Sequence, residues 1–296
     1  MSVMEGATQP LRRSTALHRD ATIRSCTRPS VPGTSVSKAR KLAHGDASIS
    51  KYRLSFTQKP DIHPRSHPRT LSLTNYSLLS TSPVKPLSDC RLYTFVDSAY
   101  LRGRNPVDIA GRLCEGGADL IQLRAKDWPA ERIQKVAEAL LPICEMNGVA
   151  LVINDHPEIA HRIGAPLAHL GQEDFFDGGH SHVSQVLPHR SSLQFGLSSH
   201  APEQAERAIA AGAAYVAIGP VHPTPTKPGR PPVTLSYVVW AATHIVDRPW
   251  FAIGGINAAN LDPVLEAGAT RICVVSAILE ASDITAACRE FRRRLP

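Results

Sequence analysis

From Arg91 to the C-terminus the chain repeats one pattern eight times: a short β-branched, apolar run followed by a helix-like stretch, each pair taking about 25 residues. The runs are RLYTFVD (91–97), DLIQLRAK (119–126), VALVIND (149–155), LAHLGQ (167–172), LQFGLSSH (193–200), YVAIGPV (215–221), WFAIGGI (250–256) and RICVVSAI (271–278). They are nearly continuous in apolar residues, as expected of parallel strands covered on both faces. Between them lie stretches such as PAERIQKVAEALLPICEMNG (129–148) and APEQAERAIAAG (201–212). Several open on Pro, Ser or Asp and close on Gly, at Gly116, Gly148, Gly164, Gly212 and Gly268, the punctuation of helix starts and stops. Eight strand–helix units over residues 89–296 predict an α/β fold, a single (β/α)8 TIM barrel. The alternative is an open doubly wound sheet. That fold usually carries a Gly-rich phosphate loop after its first strand, and FVDSAYLRGRNP (95–106) has none.

Residues 1–88 have another texture. They are rich in Ser, Thr, Arg, Pro and His, and lack a sustained apolar period. Such a segment buries too little surface to offset chain entropy, so a disordered basic extension is expected. It holds 14 Lys+Arg against 4 Asp+Glu, a net of +10, which leaves 19 against 22, a net of −3, for residues 89–296. The overall charge of +7 therefore belongs to the extension and gives no reason to expect a nucleic-acid partner for the barrel. A dispensable tail, an organelle transit peptide and a start site placed too early all fit the extension. No apolar run nears the roughly 18 residues of a membrane helix and no secretory h-region follows Met1, so a cytoplasmic protein is expected, with organelle import as the alternative. The six cysteines form no CxxC pair, which argues against a zinc site and for buried free thiols.

A barrel carries its chemistry on loops at the C-terminal ends of its strands. The unusual polar residues collect at those ends. The second run closes with Gln122, Arg124 and Lys126, the third with Asn154 and Asp155, and the fourth is followed by Gln172, Glu173 and Asp174. The fifth ends in Ser198, Ser199 and His200; the sixth leads to Thr224, Thr226 and Lys227; the seventh and eighth end in Gly254–Gly255 and Val275–Ser276. Gln122, Arg124 and Lys126 alternate, so they share one strand face and point into the barrel mouth. Arg124, Lys126 and Lys227 suit phosphoryl oxygens, Arg with a planar fork and Lys with a compact charge. Asp155 and Asp174 beside them would repel a diphosphate unless a cation intervened. Mg²⁺, which takes one or two carboxylates with phosphate oxygens and waters, supplies it. The competing reading is a ring of salt bridges that merely closes the barrel. Gly255 and Ser276 mark a second anion site, since barrels commonly hold phosphate on the loops after strands seven and eight. His169 reads as a packed core or rim histidine, and His200 as a neighbour able to orient Ser198.

Taken together, QLRAK (122–126), IND (153–155), HLGQED (169–174), GLSSH (196–200), GPVHPTPTKPG (219–229), AIGGI (252–256) and VVSAI (274–278) resemble the thiamine-phosphate synthase family, in order and across every strand. The resemblance implies that Gln122, Leu123, Arg124, Ala125, Lys126, Asn154, Ser198 and Lys227 hold hydroxymethylpyrimidine diphosphate. It implies further that Asp155 and Asp174 ligate Mg²⁺, and that Thr224, Pro225, Thr226, Gly255, Val275 and Ser276 hold thiazole phosphate. Catalysis would then fall to Arg124, Lys126, Lys227 and Ser198. The chain departs from the family pattern at Ala125, His156, Pro166 and Ala168, and RPPVTL (230–235) lacks a glycine the family often shows.

The implied reaction forms a C–N bond with loss of pyrophosphate, and the partners are small molecules; oligomeric state is not legible. Two other readings stay open: a thiazole tautomerase of the same barrel family, and a non-catalytic barrel that senses thiamine precursors. Neither needs the metal carboxylates together with the diphosphate cations.

Overall fold

The computed structural model describes residues 84–189, 191–224 and 231–296. The disorder expected of the extension falls on residues outside this set, apart from its last few. Eight parallel strands close into a barrel in chain order. They are β1 (Leu92–Asp97), β2 (Leu120–Arg124), β3 (Ala150–Asn154), β4 (Leu167–Leu170), β5 (Gln194–Ser199), β6 (Tyr215–Ile218), β7 (Trp250–Ile253) and β8 (Ile272–Cys273). The outer helices are α1 (Pro106–Glu115), α2 (Ala130–Met146), α3 (Pro157–Ile163), α4 (Gln172–Asp177), α5 (Pro202–Ala210), α6 (Thr234–His244) and α7 (Leu261–Glu266). The chain finishes with the short α8 (Ser276–Leu279) and the longer α9 (Ile284–Arg294). The (β/α)8 expectation is met.

Local chemistry places the helix starts. Pro106 stands in the first turn of α1 while Asn105 accepts the Val107 N–H, and Asp283 accepts the Ala286 N–H at the start of α9. Each arrangement satisfies an amide that the helix itself cannot reach. The strands are buried on both faces; all six residues of β1, from Leu92 to Asp97, are buried.

The barrel interior is packed by aromatic rings. Tyr93 and Tyr215 are both fully enclosed, and each meets Phe251 edge-on at 5.5 Å between centroids. The Tyr215 ring needs the space above β5. A Cβ on Gly196 would lie 2.0 Å from it, so any side chain there would expel the ring.

The opposite, N-terminal end of the barrel is closed by a buried carboxylate. Asp119, just before β2, accepts the backbone N–H of Arg91 at 2.8 Å and of Leu92 at 3.1 Å, and pairs with Lys85 at 2.6 Å. Lys85 and Leu87, which the sequence reading assigned to the extension, thus pack on the barrel. Their reason is a charge pair and a short apolar contact, which carry no periodic signal. Burial alone would raise the Asp119 pKa. The Lys85 ammonium and the two amides outweigh it and hold the carboxyl below its usual value. The stabilisation is therefore complete above the unfolded carboxylate range near pH 4 and is lost as pH falls through and below it. Asp119→Asn should cost about 2 kcal/mol at neutral pH and flatten the acid limb of a pH–stability profile followed by urea denaturation.

Candidate active site

A cavity of about 380 Å³ opens at the C-terminal end of the barrel, within the range of small-molecule sites. Its wall is built by the inward-facing alternate residues of the strands and by the loops that follow them. Tyr93 and Phe95 come from β1, Gln122 and Arg124 from β2, Asn154 from β3, His169 from β4 and Ser198 from β5. Lys126, Asp155, Glu173, Asp174, His200, Thr224, Gly255, Val275 and Ser276 complete the rim.

At the cavity floor a chain of hydrogen bonds crosses the barrel. The Gln122 amide donates to the Tyr93 hydroxyl at 2.6 Å, Tyr93 and Tyr215 share a hydrogen bond of 2.8 Å, and Tyr215 lies 3.1 Å from His169 Nδ1. Burial raises both phenol pKa values, so the hydroxyls stay protonated and serve as neutral links. Tyr93 also stacks on Phe95 at 5.2 Å, which gives the floor an aromatic surface.

Above the floor the charges are paired. Arg124 donates to Asp97 at 2.8 Å, and Lys126 lies 3.1 Å from Asp155. Asp155 leaves β3 with φ +62°, a left-handed backbone that Asp tolerates better than most residues, while its N–H donates to the His169 carbonyl at 3.0 Å. Asp174 sits in the first turn of α4. Its carboxylate folds back over Gly171, where a Cβ would come within 2.6 Å of an Oδ atom. Ser198 Oγ accepts the Gln172 N–H at 3.2 Å, which leaves its own O–H to donate into the cavity. His200 contacts the Gly219 carbonyl through Nδ1, and its Nε2 lies 3.7 Å from Glu173.

On the far side, the β7 end is shaped by contact with the segment after β6. The Val221 and His222 amides donate to the Ile253 and Gly254 carbonyls at 2.8 and 3.0 Å. Gly255 has φ +64°, and a Cβ there would lie 2.5 Å from the Pro223 carbonyl oxygen. Thr224, Gly255, Val275 and Ser276 consequently share one wall of the cavity.

The structure thus brings together Gln122, Arg124, Lys126, Asn154, Asp155, Asp174, Ser198, Thr224, Gly255, Val275 and Ser276. Leu123 and Ala125 instead belong to the hydrophobic core, because strand alternation turns them away from the mouth. Pro225, Thr226 and Lys227 lie outside the described residues. Sequence reasoning missed Tyr93, Phe95 and Asp97, and it treated His169 as packing although it lines the cavity. The signal available for them was inward phase: Tyr93, Phe95 and Asp97 alternate on β1 as Gln122 and Arg124 do on β2, and Asp97 pairs in register with Arg124.

Residues 92–278 match the family described as thiamine monophosphate synthase. The chain is 46% identical over 193 residues to the thiamine-phosphate synthase of Thermus thermophilus, a match covering 64% of this chain and 88% of that one. It is 42% identical over 210 residues to the thiamine-phosphate synthase of Acidothermus cellulolyticus, covering 71% and 96% of the two chains. Among solved structures it is similar to the thiamine phosphate pyrophosphorylase from Pyrococcus furiosus, with a TM-score of 0.61 and 27% identity over 71% of this chain and 96% of that one.

The contact at Gly255 makes a direct prediction. Gly255→Ala combines a disfavoured left-handed φ with overlap against backbone, so it should cost about 2–3 kcal/mol. For a barrel of this size that lowers the melting temperature by roughly 5 °C or more, measurable by calorimetry.

Proposed function

Because the chain belongs to the thiamine monophosphate synthase family, transferases of thiamine biosynthesis, we propose that it joins hydroxymethylpyrimidine diphosphate to hydroxyethylthiazole phosphate and releases pyrophosphate. The observation that carries this reading is the two-sided cavity. Arg124, Lys126, Asp155 and Asp174 gather on one side, and Thr224, Gly255, Val275 and Ser276 on the other. Two anionic substrates can therefore lie next to each other with their reacting atoms between the two walls. The thiazole tautomerase alternative needs only the second wall, and the precursor-sensor alternative needs no metal carboxylates. The charged wall speaks for the synthase.

The donor set fits Mg²⁺. Among the described residues the cavity wall carries three carboxylates, Asp155, Glu173 and Asp174, against two Lys/Arg cations, Arg124 and Lys126. A diphosphate meeting the Asp155 and Asp174 carboxylates directly would be repelled by them. Asp155 and Asp174 would hold the ion, as Mg²⁺ takes one or two carboxylates with substrate oxygens and waters. When bound, it supplies charge neutralisation for the departing pyrophosphate.

The protein's own groups account for the rest of the mechanism. Arg124 and Lys126 donate to the diphosphate oxygens, and we assign Lys227 the same role. The Tyr93–Phe95 stack and the Gln122 amide receive the pyrimidine ring, with Asn154 beside them. The C–O bond to the diphosphate breaks first, and the electron pair leaves with the pyrophosphate. The cation left on the pyrimidine methylene is stabilised by electron donation from the ring amine. The thiazole nitrogen then supplies its lone pair to form the C–N bond. No side chain needs to act as nucleophile or base, and the Ser198 hydroxyl serves as a hydrogen-bond donor to the leaving group. Thr224, Gly255, Val275 and Ser276 hold the thiazole phosphate, with Pro225 and Thr226 assigned to the same pocket. The proposed setting is the cytoplasm, in line with the bacterial relatives.

The test is pyrophosphate release measured with both substrates and with each alone. Release that requires both, is abolished by chelation and returns with Mg²⁺ is the expected result. Isomerisation of the thiazole substrate without any pyrophosphate release would favour the tautomerase instead. Within this scheme Asp155→Ala and Lys227→Ala should each lower turnover at saturating Mg²⁺ by on the order of 10²-fold or more, the usual effect of losing a preorganised charge. Steady-state kinetics showing near-normal turnover in either would count against the assignment.

A further inference from the structure

We infer that Asp97 is the positioning residue for Arg124, fixing the direction in which the guanidinium meets the diphosphate. The proposal rests on the reading that Arg124 binds that group. Asp97 is fully buried and stands behind Arg124, whereas Arg124 lines the cavity. The two residues are direct partners in the parallel pairing of β1 with β2, so the backbone sets their separation before any side chain turns. Both carboxylate oxygens of Asp97 are engaged. One accepts the Arg124 Nη1–H at 2.8 Å, and the other accepts the Ala99 N–H at 3.0 Å, capping the single-turn helix after β1.

That double engagement is the device. A carboxylate held at only one oxygen swivels about its Cβ–Cγ bond, but here the Ala99 amide removes that freedom. The guanidinium is planar and presents five N–H donors in a rigid fork, so gripping one nitrogen orients the whole plane. The arginine's remaining donors then face the cavity, and the conformational entropy of the side chain is lost on folding and not on substrate binding. Lys126 differs: its side chain is more than half exposed and meets Asp155, a residue of the same rim. Of the two described cations, Arg124 is therefore the one built with a fixed direction.

The experiment measures binding of inorganic pyrophosphate with Mg²⁺ by calorimetry, together with KM for each substrate and kcat. The variants are Asp97→Asn, Asp97→Glu and Arg124→Ala, each checked for folding by thermal melting. Asp97→Asn puts an amide N–H against one of its two donors, and Asp97→Glu keeps the charge but moves the clamp by one methylene. Both should weaken pyrophosphate binding roughly tenfold or more, as small displacements of a positioning group do, and should leave the KM for thiazole phosphate within about twofold. Adding Asp97→Asn to Arg124→Ala should cause little further loss, because the two substitutions act through one group. Normal pyrophosphate affinity in either folded single variant overturns the proposal. Asp97→Glu keeps this decisive should Asp97→Asn not fold, since a purely charge-balancing role would leave its affinity intact. If Arg124→Ala itself binds pyrophosphate normally, it is the diphosphate assignment of Arg124 that fails.

Discussion

Closure of eight parallel strands into a ring leaves an interior that admits only every second side chain from each strand. That constraint organises everything else in the molecule. At mid-height it forces large rings together, and Tyr93, Tyr215 and Phe251 fill the section with edge-to-face contacts because Gly196 yields its place. One layer up, the same alternation delivers Arg124, Asn154, His169 and Ser198 to a common space. The buried hydroxyls of Tyr93 and Tyr215 join the two layers. An isolated phenol at that depth would leave a polar group without a partner, but the Gln122–Tyr93–Tyr215–His169 chain gives each hydroxyl two. Packing and site are one structure here, and the floor of the cavity is also the top of the core.

The two ends of the barrel use charge for different ends. Asp119 at the bottom is satisfied by amides and by Lys85, and its work is to hold the starts of β1 and β2 together. At the top, Arg124 and Lys126 are likewise paired with Asp97 and Asp155, but both cations also line the cavity. A cation with a carboxylate partner is affordable to bury and still has donors left for a ligand. The bottom pairing closes the fold, while the top pairing stores a binding surface.

The sequence made the barrel legible because continuous apolar runs at regular spacing have few other solutions, and the rim residues were legible because polar types at strand ends are conspicuous. What escaped was governed by direction. Leu123 and Ala125 stand inside the motif that carries the family resemblance, yet the alternation that brings Gln122 and Arg124 to the mouth sends these two to the core. Tyr93, Phe95 and His169 carry no mark separating a ring that packs from a ring that lines a cavity, since both are apolar surfaces on an inward position. Asp97 closes the run RLYTFVD without standing out, and it is the register of β1 with β2 that sets it beside Arg124. Strand ends were read too long for a related reason. Apolar sequence continues through Val274 and Val275, but pairing of β8 stops at Cys273 where the chain turns toward α8. At the first helix the left-handed turn is taken by Gly117, while Gly116 is small because Cys288 packs against it.

On the proposed reading, the carboxylates beside the diphosphate cations have a second use. Were the mouth lined by cations alone, it would bind pyrophosphate and substrate diphosphate alike with great strength, and the leaving group would stay. Arg124 and Lys126 each meet a carboxylate, Asp97 and Asp155, and on the proposed reading that pairing would lower the grip. Affinity for the diphosphate would, on the same reading, depend on a divalent ion arriving with it, so attraction would be assembled with the substrate and dispersed with the product. The proposed clamp of Asp97 on Arg124 would keep the fork aimed while strength is withheld. On this view the carboxylates of the rim are as much a means of letting pyrophosphate go as of binding the ion that draws it away.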